Sequence, residues 1–366
     1  MHTNLGLAIM AKIMVAMSGG VDSSLTAVLL KEQGHDVTGV TMHLWEGDDN
    51  GIMESQCCSV EMTAGARRVC AQYDIPYYVF NYQKDFRKHV IDYFLREYSS
   101  GATPNPCLAC NRDLKFRVLL ERAELLGFDG LATGHFVQIT GGGEQPYDLR
   151  RGIDINKDQS YVLYMLSQRE LGRLHFPLGG FTKPQVRQMA RERGLVTADK
   201  PESMDICFIP DNNYRRFLNE ERPEIMQPGP IVNRHGTVLG QHKGLPQYTI
   251  GQRKGLGIAA GSPLFVIEID TVRNLLIVGD ADELERRDFV IDDVRSVYGQ
   301  IEAGIYAVQI RAHGEAVPAT ITPREDGTLH IRYDQPQRSV TPGQAAVLYR
   351  DDRVFGGGRI STERYS

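Results

Sequence analysis

The chain has 366 residues, 42% of them hydrophobic and 24% charged, and a formal net charge of −5. This length predicts two or three domains, and the composition is that of an ordinary soluble protein. No stretch approaches the roughly 20 apolar residues of a membrane span and no basic start marks a signal peptide, so we expect a cytoplasmic protein. The negative net charge argues against a uniformly basic nucleic-acid-binding surface.

A glycine loop joins the first predicted strand to the first predicted helix. The strand lies at Ile13–Val15, the helix at Leu25–Leu30, and Ser18–Ser24 between them reads Ser-Gly-Gly-Val-Asp-Ser-Ser. Backbone N–H groups at such a turn, with the positive end of the helix, form a cradle for phosphate. No Gly-Lys-Ser/Thr follows, as it would in a Walker A loop, and a cradle without that lysine suits a nucleotide that loses pyrophosphate. We expect ATP to bind here; the alternative is an ordinary strand-to-helix turn.

Strands and helices alternate through the first half of the chain. This alternation predicts an α/β fold with a doubly wound parallel sheet, whose ligands bind at the carboxyl edge. Gly141–Gly143 predicts a hairpin between 136–139 and 147–150. The further predicted strands are 36–42, 75–80 and 130–135, and the predicted helices are 61–73, 85–98, 114–126, 163–171 and 183–193.

The pattern changes after about residue 215, where Pro and Gly become frequent. Short strands separated by turns then predict a small β-barrel. These strands are 288–291, 304–308, 319–322, 329–333 and 345–349. We therefore expect domains at 1–215, 216–283 and 284–366.

The cysteines are too few for a disulfide scaffold and indicate catalysis or metal binding in a reducing compartment. Cys70 lies in a helical pattern and is expected in the core. Cys207 lies between a polar loop and an apolar run, which fits either a buried residue or a nucleophile. The six cysteines are at 57, 58, 70, 107, 110 and 207.

Cys110 follows the Pro-rich loop at 103–106 and is predicted to lie near the start of a helix capped by Asn111 or Asp113. Arg112 and Lys115 lie nearby in sequence. A helix start and neighbouring cations both favour the thiolate form of cysteine, so Cys110 is a candidate nucleophile.

A set of motifs occurs in order along the chain, and with them the chain resembles the tRNA-specific 2-thiouridylases (the MnmA/TrmU family) from about residue 12 to the C-terminus. The resemblance implies an N-terminal ATP-pyrophosphatase (adenine nucleotide hydrolase-like) domain, a small central domain and a C-terminal β-barrel. It also implies an enzyme that replaces the 2-oxygen of the wobble uridine in certain tRNAs with sulfur. The motifs are Met17–Ser24, Thr103–Pro106 with Cys110–Asn111, Ala132–His135, Lys157–Tyr161, Ile206–Ile209, Gly251–Gly257 and Thr341–Gln344.

The resemblance implies residue roles as well. Cys207 would carry sulfur as a persulfide, whose terminal sulfur attacks C2 of the base or is released as hydrosulfide. Cys110 would then attack the persulfide and leave a Cys110–Cys207 disulfide. A sulfur-donor protein, either a cysteine desulfurase or a relay, would load Cys207. ATP, with Mg²⁺, would be bound by Ala16, Met17, Ser18, Gly19, Gly20, Val21, Asp22, Ser23, Met42 and Gly134. The tRNA and its target base would be contacted by Asn105, Pro106, Cys107, His135, Lys157, Asp158, Gln159 and Gln344.

Three features depart from the family pattern. Cys107 stands where many bacterial members have an aspartate expected to transfer protons, and it creates a C-x-x-C with Cys110. Together with Cys207, these thiols could hold a [4Fe–4S] cluster or a Zn²⁺ ion; the alternative is a redox pair plus one spare thiol. Cys57–Cys58 and Pro201–Asp205 are the other departures.

Two other functions use parts of the same pattern. An ATP-dependent amidating or condensing synthetase would share the loop at Ser18–Ser24 but would need neither Cys110 nor Cys207. A non-catalytic tRNA-binding protein would not need an intact loop. Lys157–Gln159, considered without the resemblance, would be a solvated loop.

Overall fold

The computed structural model describes residues 10–45, 60–201, 206–259, 261–338 and 340–362. The chain forms two compact units, the first comprising Met1–His89 and Cys110–Pro210. The second comprises Val90–Ala109 and Asp211–Ser366. A segment from the first third of the sequence therefore belongs to the C-terminal unit.

The secondary structure of the described residues follows, in chain order. The helices are α1 (Val21–Glu32), α2 (Val60–Gln72), α3 (Gln83–Phe86), α4 (Asp92–Ser99), α5 (Pro106–Ala109), α6 (Leu120–Leu125), α7 (Gln168–Leu171), α8 (Lys183–Glu192) and α9 (Tyr214–Glu221), with π-helical turns at Arg87–Ile91 and Cys110–Leu119. The strands are β1 (Lys12–Ala16), β2 (Asp36–His43), β3 (Tyr77–Asn81), β4 (Gly130–Ala132), β5 (Val137–Gly142), β6 (Gln145–Arg151), β7 (Leu174–His175), β8 (Gly229–Val232), β9 (Val238–His242), β10 (Phe265–Asp270), β11 (Leu275–Gly279), β12 (Glu285–Ser296), β13 (Gly304–Gln309), β14 (Val317–Pro323), β15 (Leu329–Arg338), β16 (Ala345–Arg350) and β17 (Arg353–Ile360).

The first unit is built on a parallel sheet with strand order β3-β2-β1-β4-β7. The central strand β1 is buried on both faces, as its apolar run requires. Helices α1, α2 and α8 cover the sheet with buried Val, Leu and Ala side chains. The order reverses at β1, so the predicted doubly wound sheet is confirmed, with its crevice at the carboxyl ends of β1 and β4.

Two local predictions in this unit are wrong or incomplete. The predicted helix over 163–171 is instead a 3₁₀ turn at Ser160–Leu163 followed by α7. Ser167 starts α7 with a capping box to Glu170, and this separate start divides the segment. Strand β7 was not predicted because two residues carry no readable alternation.

The second unit contains a closed antiparallel barrel with strand order β12-β15-β14-β13-β16-β17, and β17 pairs back with β12. The five predicted strands, and the barrel, are confirmed. The sixth strand, β17, was missed because Gly356–Gly358 remove the apolar alternation of a strand. A smaller sheet of order β10-β11-β8-β9 precedes the barrel and has its own core around Ile231, Leu276 and Val278. Among the described residues, no helix is long and apolar enough to cross a membrane.

Candidate active site

The phosphate loop, Ser18–Ser24, leaves the carboxyl end of β1 and enters α1 through Gly20, the N-cap residue. Because glycine has no side chain, the N–H groups of the first turn remain directed to the site. Ser23 organises the turn: its hydroxyl accepts a hydrogen bond from the Ser18 amide (3.2 Å) and donates to the Gly20 carbonyl (3.3 Å). Met17 and Val21 have buried side chains, so their predicted ATP contacts would come from the backbone.

A buried lysine is paired with the acidic residue of this loop. Lys183 Nζ, in the first turn of α8, lies 2.7 Å from both carboxylate oxygens of Asp22. The same ammonium group lies 5.5 Å from the centre of the Phe136 ring, and the Lys183 amide donates to Asp154 Oδ2 (2.8 Å). The loop, which has no lysine of its own, thus acquires one from a position 161 residues further along the chain.

A second lysine, from the segment that follows α8, also lies at the loop. Lys200 Nζ lies 3.4 Å from the Gly19 carbonyl. Its backbone is anchored by α8, because Arg187 donates to the carbonyls of Ala198 (2.8 Å) and Lys200 (3.1 Å). Two cations therefore flank the phosphate loop. Sequence reasoning missed both; the only local signal was the capping box of α8, Thr182 with Gln185, which marks a helix start beside Lys183.

Gly134 and Met42 complete the carboxyl edge of the sheet. A Cβ atom on Gly134 would lie 2.9 Å from backbone and side-chain atoms of Asp22 and from the Ser23 amide, so any other residue would displace the phosphate loop. Met42 is buried near the end of β2. The neighbouring Thr41 hydroxyl donates to the Met17 carbonyl (2.7 Å) and thereby fixes the start of the loop.

Cys110 is half-buried and opens a π-helical segment. The predicted cap by Asn111 or Asp113 is wrong, because helical backbone already begins at Pro106. Asn111 is buried, with its amide donating to the Val162 carbonyl (3.3 Å) and its Oδ1 without a hydrogen-bond partner. Arg112 is paired with Asp113 at 2.9 Å, so its charge is partly offset at the thiol.

Cys207 is half-buried between well-packed neighbours. Phe208 and Ile209 are buried, and the Phe208 ring meets Phe86 edge-on at 5.6 Å. This packing holds the backbone at Cys207 while leaving its side chain partly accessible. Cys70, by contrast, is buried, and burial raises the pKa of its thiol to about 12. Its expected place in the core is confirmed.

In the second unit, Asn105, Pro106 and Cys107 form the start of α5. Asn105 is the N-cap: its Oδ1 accepts a hydrogen bond from the Cys107 amide at 3.1 Å. Pro106 occupies the first helical position, where its missing N–H costs nothing. The Cys107 side chain is exposed.

The predicted metal cluster at Cys107, Cys110 and Cys207 stays a prediction. Among the described residues, no group of three or more His, Cys, Asp or Glu side chains is arranged to hold a metal ion. Cys57 and Cys58 lie outside the described residues, as do positions 202–205 of the departing segment before Cys207.

Three family models match consecutive parts of the chain: the tRNA methyl transferase HUP domain (residues 11–211), the tRNA methyl transferase PRC-barrel domain (215–280) and the aminomethyltransferase β-barrel domain (286–360). The chain is 56% identical to a tRNA-specific 2-thiouridylase of Roseiflexus sp. (strain RS-1), over 97% of this chain and 100% of the relative. The chain belongs to the tRNA-specific 2-thiouridylase family.

A second relative supports this assignment, whereas the similarity to solved structures is low. A 2-thiouridylase of Chloroflexus aurantiacus (strain J-10-fl) is 55% identical over 96% of this chain and 99% of the relative. Among solved structures, a 4-thiouridine synthetase–RNA complex with bound ATP aligns over 58% of this chain and 51% of its own, with 17% identity and a TM-score of 0.35. That similarity is too low to support a functional argument.

Several of the residues predicted to contact tRNA have structural roles in this fold. His135 is buried between Phe116 and Phe176. Burial, aided by the charge of Lys115, holds the pKa of His135 well below its ordinary value, so the ring is neutral. Its Nδ1 lies 2.6 Å from the Thr133 hydroxyl. The predicted tRNA contact of His135 stays a prediction.

Two side chains of the segment Lys157–Gln159 form hydrogen bonds within the protein, unlike those of a solvated loop. Asp158 accepts hydrogen bonds from Arg151 (2.7 Å), the Gly152 amide (3.0 Å) and Ser160 (2.8 Å), and its side chain is 4% exposed. Gln159 Oε1 accepts from the Phe136 amide at 3.0 Å. Gln159 therefore holds the backbone next to His135, and Asp158 holds the end of β6. The predicted tRNA contacts of both residues stay predictions.

Proposed function

We propose that this chain is a tRNA-uridine 2-sulfurtransferase that adenylates the 2-oxygen of the wobble uridine and then replaces it with sulfur. The observation that carries the proposal is the match to 2-thiouridylases along nearly the whole chain. The intact phosphate loop, flanked by Lys183 and Lys200, supports ATP use. The half-buried thiols at Cys110 and Cys207 support sulfur transfer.

The first step activates a poor leaving group. The uridine 2-oxygen attacks the α-phosphorus of ATP, the bond to the β-phosphate breaks, and pyrophosphate leaves from the loop. The first-turn N–H groups of α1, with Lys183 and Lys200, stabilise the charge that develops on the departing phosphates. The product is an AMP ester at C2 of the base.

Mg²⁺ suits the donor set at this loop. The ion prefers oxygen ligands and is commonly held by one or two carboxylates together with substrate phosphates. Asp22 offers such a carboxylate, held at the loop by Lys183. When bound, Mg²⁺ would neutralise phosphate charge.

The second step delivers sulfur. A sulfur-donor protein first loads Cys207 as a persulfide. The terminal sulfur attacks C2, the C2–O bond breaks and AMP departs with the original oxygen. The Cys110 thiolate then attacks Cys207 Sγ, which forms a Cys110–Cys207 disulfide and leaves the sulfur on the base as 2-thiouridine. A thiol reductant must restore both cysteines before the next turnover.

Substrate contacts follow from the family match. The start of α5, Asn105–Cys107, would meet the flipped-out base, as in other enzymes that act on an extruded nucleotide. Cys107 would take the place of the proton-transferring aspartate of related enzymes. Lys157, His135, Asp158, Gln159 and Gln344 are the other matched tRNA contacts.

The test is incubation with ATP, unmodified tRNA, and a cysteine desulfurase with free cysteine, followed by digestion and a search for 2-thiouridine by mass. With a methyl donor also supplied, methylated uridine in place of 2-thiouridine would favour the activity in the family-model names. An amidated or condensed small molecule would favour a synthetase. Binding of tRNA with no product and no pyrophosphate would leave a non-catalytic protein.

Two variants test the residue roles. Cys207→Ser should abolish 2-thiouridine while tRNA-dependent pyrophosphate release persists, because adenylation needs no thiol; substantial residual product would reject the persulfide role. Asp22→Ala should remove pyrophosphate release and leave tRNA affinity nearly unchanged.

A cluster that carries sulfide is the alternative route for sulfur. Anaerobic purification followed by iron and sulfide analysis decides between the two. Metal-free protein that still makes 2-thiouridine would exclude the cluster, whereas dependence of the product on bound iron would displace the persulfide step.

A further inference from the structure

The second unit contains a contact between the barrel and the segment that leads to Asn105–Cys107. The Thr341–Gln344 turn, which joins β15 to β16, lies against Thr103. The Thr103 amide donates to the Pro342 carbonyl at 2.9 Å. Gln344 Nε2 donates to the Thr103 carbonyl at 2.8 Å. Both backbone groups of one residue are therefore bonded to a turn more than 200 residues away in sequence.

The fit of this turn depends on Gly343. Its φ is +90°, a conformation that residues with a side chain rarely adopt. A Cβ atom there would lie 2.9 Å from the Thr103 amide nitrogen and 3.0 Å from Ala102 Cβ. Glycine is thus required both by the backbone conformation and by the close approach of the two chain segments.

The helix before Thr103 is fixed to the same unit. Arg359, on β17, lies 3.0 Å from both carboxylate oxygens of the buried Glu97 and also pairs with Asp292 on β12. Tyr98 stacks on Tyr214 with the ring centres 5.4 Å apart. Helix α4 therefore has an aromatic contact with α9 and an ionic contact with β17.

The anchor at Thr103 constrains the residues that follow it. Only Pro104 separates Thr103 from Asn105, and Pro106 comes next. Proline fixes its own φ and restricts the residue before it, so both Thr103 and Asn105 have few conformations. The position of the Thr103 peptide groups is thus transmitted to Asn105, whose side chain caps α5 at Cys107.

We propose that the Thr341–Gln344 turn positions the Asn105–Cys107 segment for reaction, and that Gln344 is a positioning residue rather than only a tRNA contact. This inference rests on the proposed role of Asn105–Cys107 at the target base. In consequence, the barrel contributes to the chemical step as well as to binding.

Steady-state kinetics on three variants tests the proposal. Gln344→Ala removes the bond to Thr103, Gln344→Met removes the donor but keeps the length of the side chain, and Gly343→Ala disturbs the turn without removing any side chain that could touch tRNA. All three should lower kcat roughly ten- to a hundredfold, as small displacements of reacting groups do, with little change in KM for tRNA. Gln335→Ala, at an exposed glutamine of β15, is the matched control and should behave like the unchanged protein.

The opposite kinetic pattern would overturn the proposal. If the Gln344 variants raise KM for tRNA with kcat preserved, and Gly343→Ala is fully active, Gln344 acts only by touching tRNA. Gly343→Ala alone could fail to fold, but the two Gln344 variants leave the backbone of the turn free to form.

Hydrogen exchange of the Thr103 amide provides a readout independent of activity. The amide should be protected in the unchanged chain and exchange faster in the Gln344 and Gly343 variants. Unaltered protection in all of them would refute the positioning contact. If the unchanged chain makes no 2-thiouridine, the proposed function fails. The exchange measurement still tests the contact between the turn and Thr103, because it does not depend on activity.

Discussion

Lys183 is a buried cation whose partner is a carboxylate of the phosphate loop. We expect Lys183→Met to lower tRNA-dependent pyrophosphate release by about 10²–10³-fold, the usual loss when one group that stabilises transition-state charge is removed. Lys183→Arg should retain part of the activity because it keeps the charge. Radiolabelled pyrophosphate release measures both.

Lys31→Met is the control for the Lys183 variants, since Lys31 is a surface lysine of α1 that donates to the Asp74 carbonyl. It should leave the rate unchanged. A Lys183→Met enzyme with normal pyrophosphate release would show that the ion pair with Asp22 serves the fold and not the reaction.

The burial of His135 should make the free energy of unfolding depend on pH. Its pKa in the folded chain lies well below the ordinary value of 6.5 because the ring is buried. Below pH 6.5 the unfolded chain takes up a proton that the folded chain does not, so the free energy of unfolding falls as the pH falls, by up to about 1.4 kcal/mol per pH unit. Above that pH this group contributes no dependence.

Urea unfolding between pH 7.5 and pH 5 measures the effect of His135, and His135→Asn should flatten the curve. Part of the slope should remain, because burial and the nearby His35 lower the pKa of His175 as well. An identical slope in the variant would assign the dependence to other groups.

Helix α8 carries Lys183 in its first turn and anchors Lys200 through Arg187. Its start is fixed by a capping box in which the Thr182 amide donates to Gln185 Oε1 at 2.8 Å. We expect Thr182→Ala to cost about 1 kcal/mol in the free energy of unfolding and to raise KM for ATP, because fraying of this turn loosens Lys183. Chemical denaturation and ATP kinetics check the two effects.

Thr182→Ser, which keeps the hydroxyl cap, should match the unchanged chain in both measurements. A Thr182→Ala protein that is destabilised but has normal ATP kinetics would show that the turn need not be fixed for Lys183 to act.

The sequence was sufficient to predict the elements whose signals are local. The phosphate loop was predictable because its glycines, helix and preceding strand occupy one short stretch, and the barrel because most of its strands alternate clearly. Strand β17 was not, since glycines occupy its centre. The two lysines at the phosphate loop were not predictable either, because spatial proximity across 161 and 181 residues leaves no periodic trace in a single sequence.

The second unit is discontinuous in sequence, because it combines Val90–Ala109 with Asp211–Ser366. A fragment that lacks the C-terminal part would therefore separate α4 from the residues that it packs against. A chain that ends at residue 211 would contain α4 but lack its partners Phe217, Tyr214 and Arg359. We expect such a fragment to retain ATP binding, since the phosphate loop and both lysines lie within it. We also expect it to expose Phe94 and to self-associate, which size-exclusion chromatography would show.

Phe94→Ser and Leu95→Ser, introduced together, should restore a monomeric fragment if exposed apolar surface is the cause. Self-association that persists in this variant would locate the cause elsewhere in the fragment.

The ion pair between Glu97 and Arg359 spans 262 residues. During synthesis on a ribosome, the parallel sheet and its phosphate loop can form long before Arg359 has been translated. A nascent chain would therefore bind nucleotide early. The segment at Asn105–Cys107 would become ordered only after β17 has emerged from the ribosome. In ribosome-bound chains stalled before β17, this segment should be more sensitive to protease than in chains stalled after β17. Equal sensitivity would show that the segment does not depend on β17 for its order. The enzyme would thus become competent to modify tRNA only after β17 has been translated.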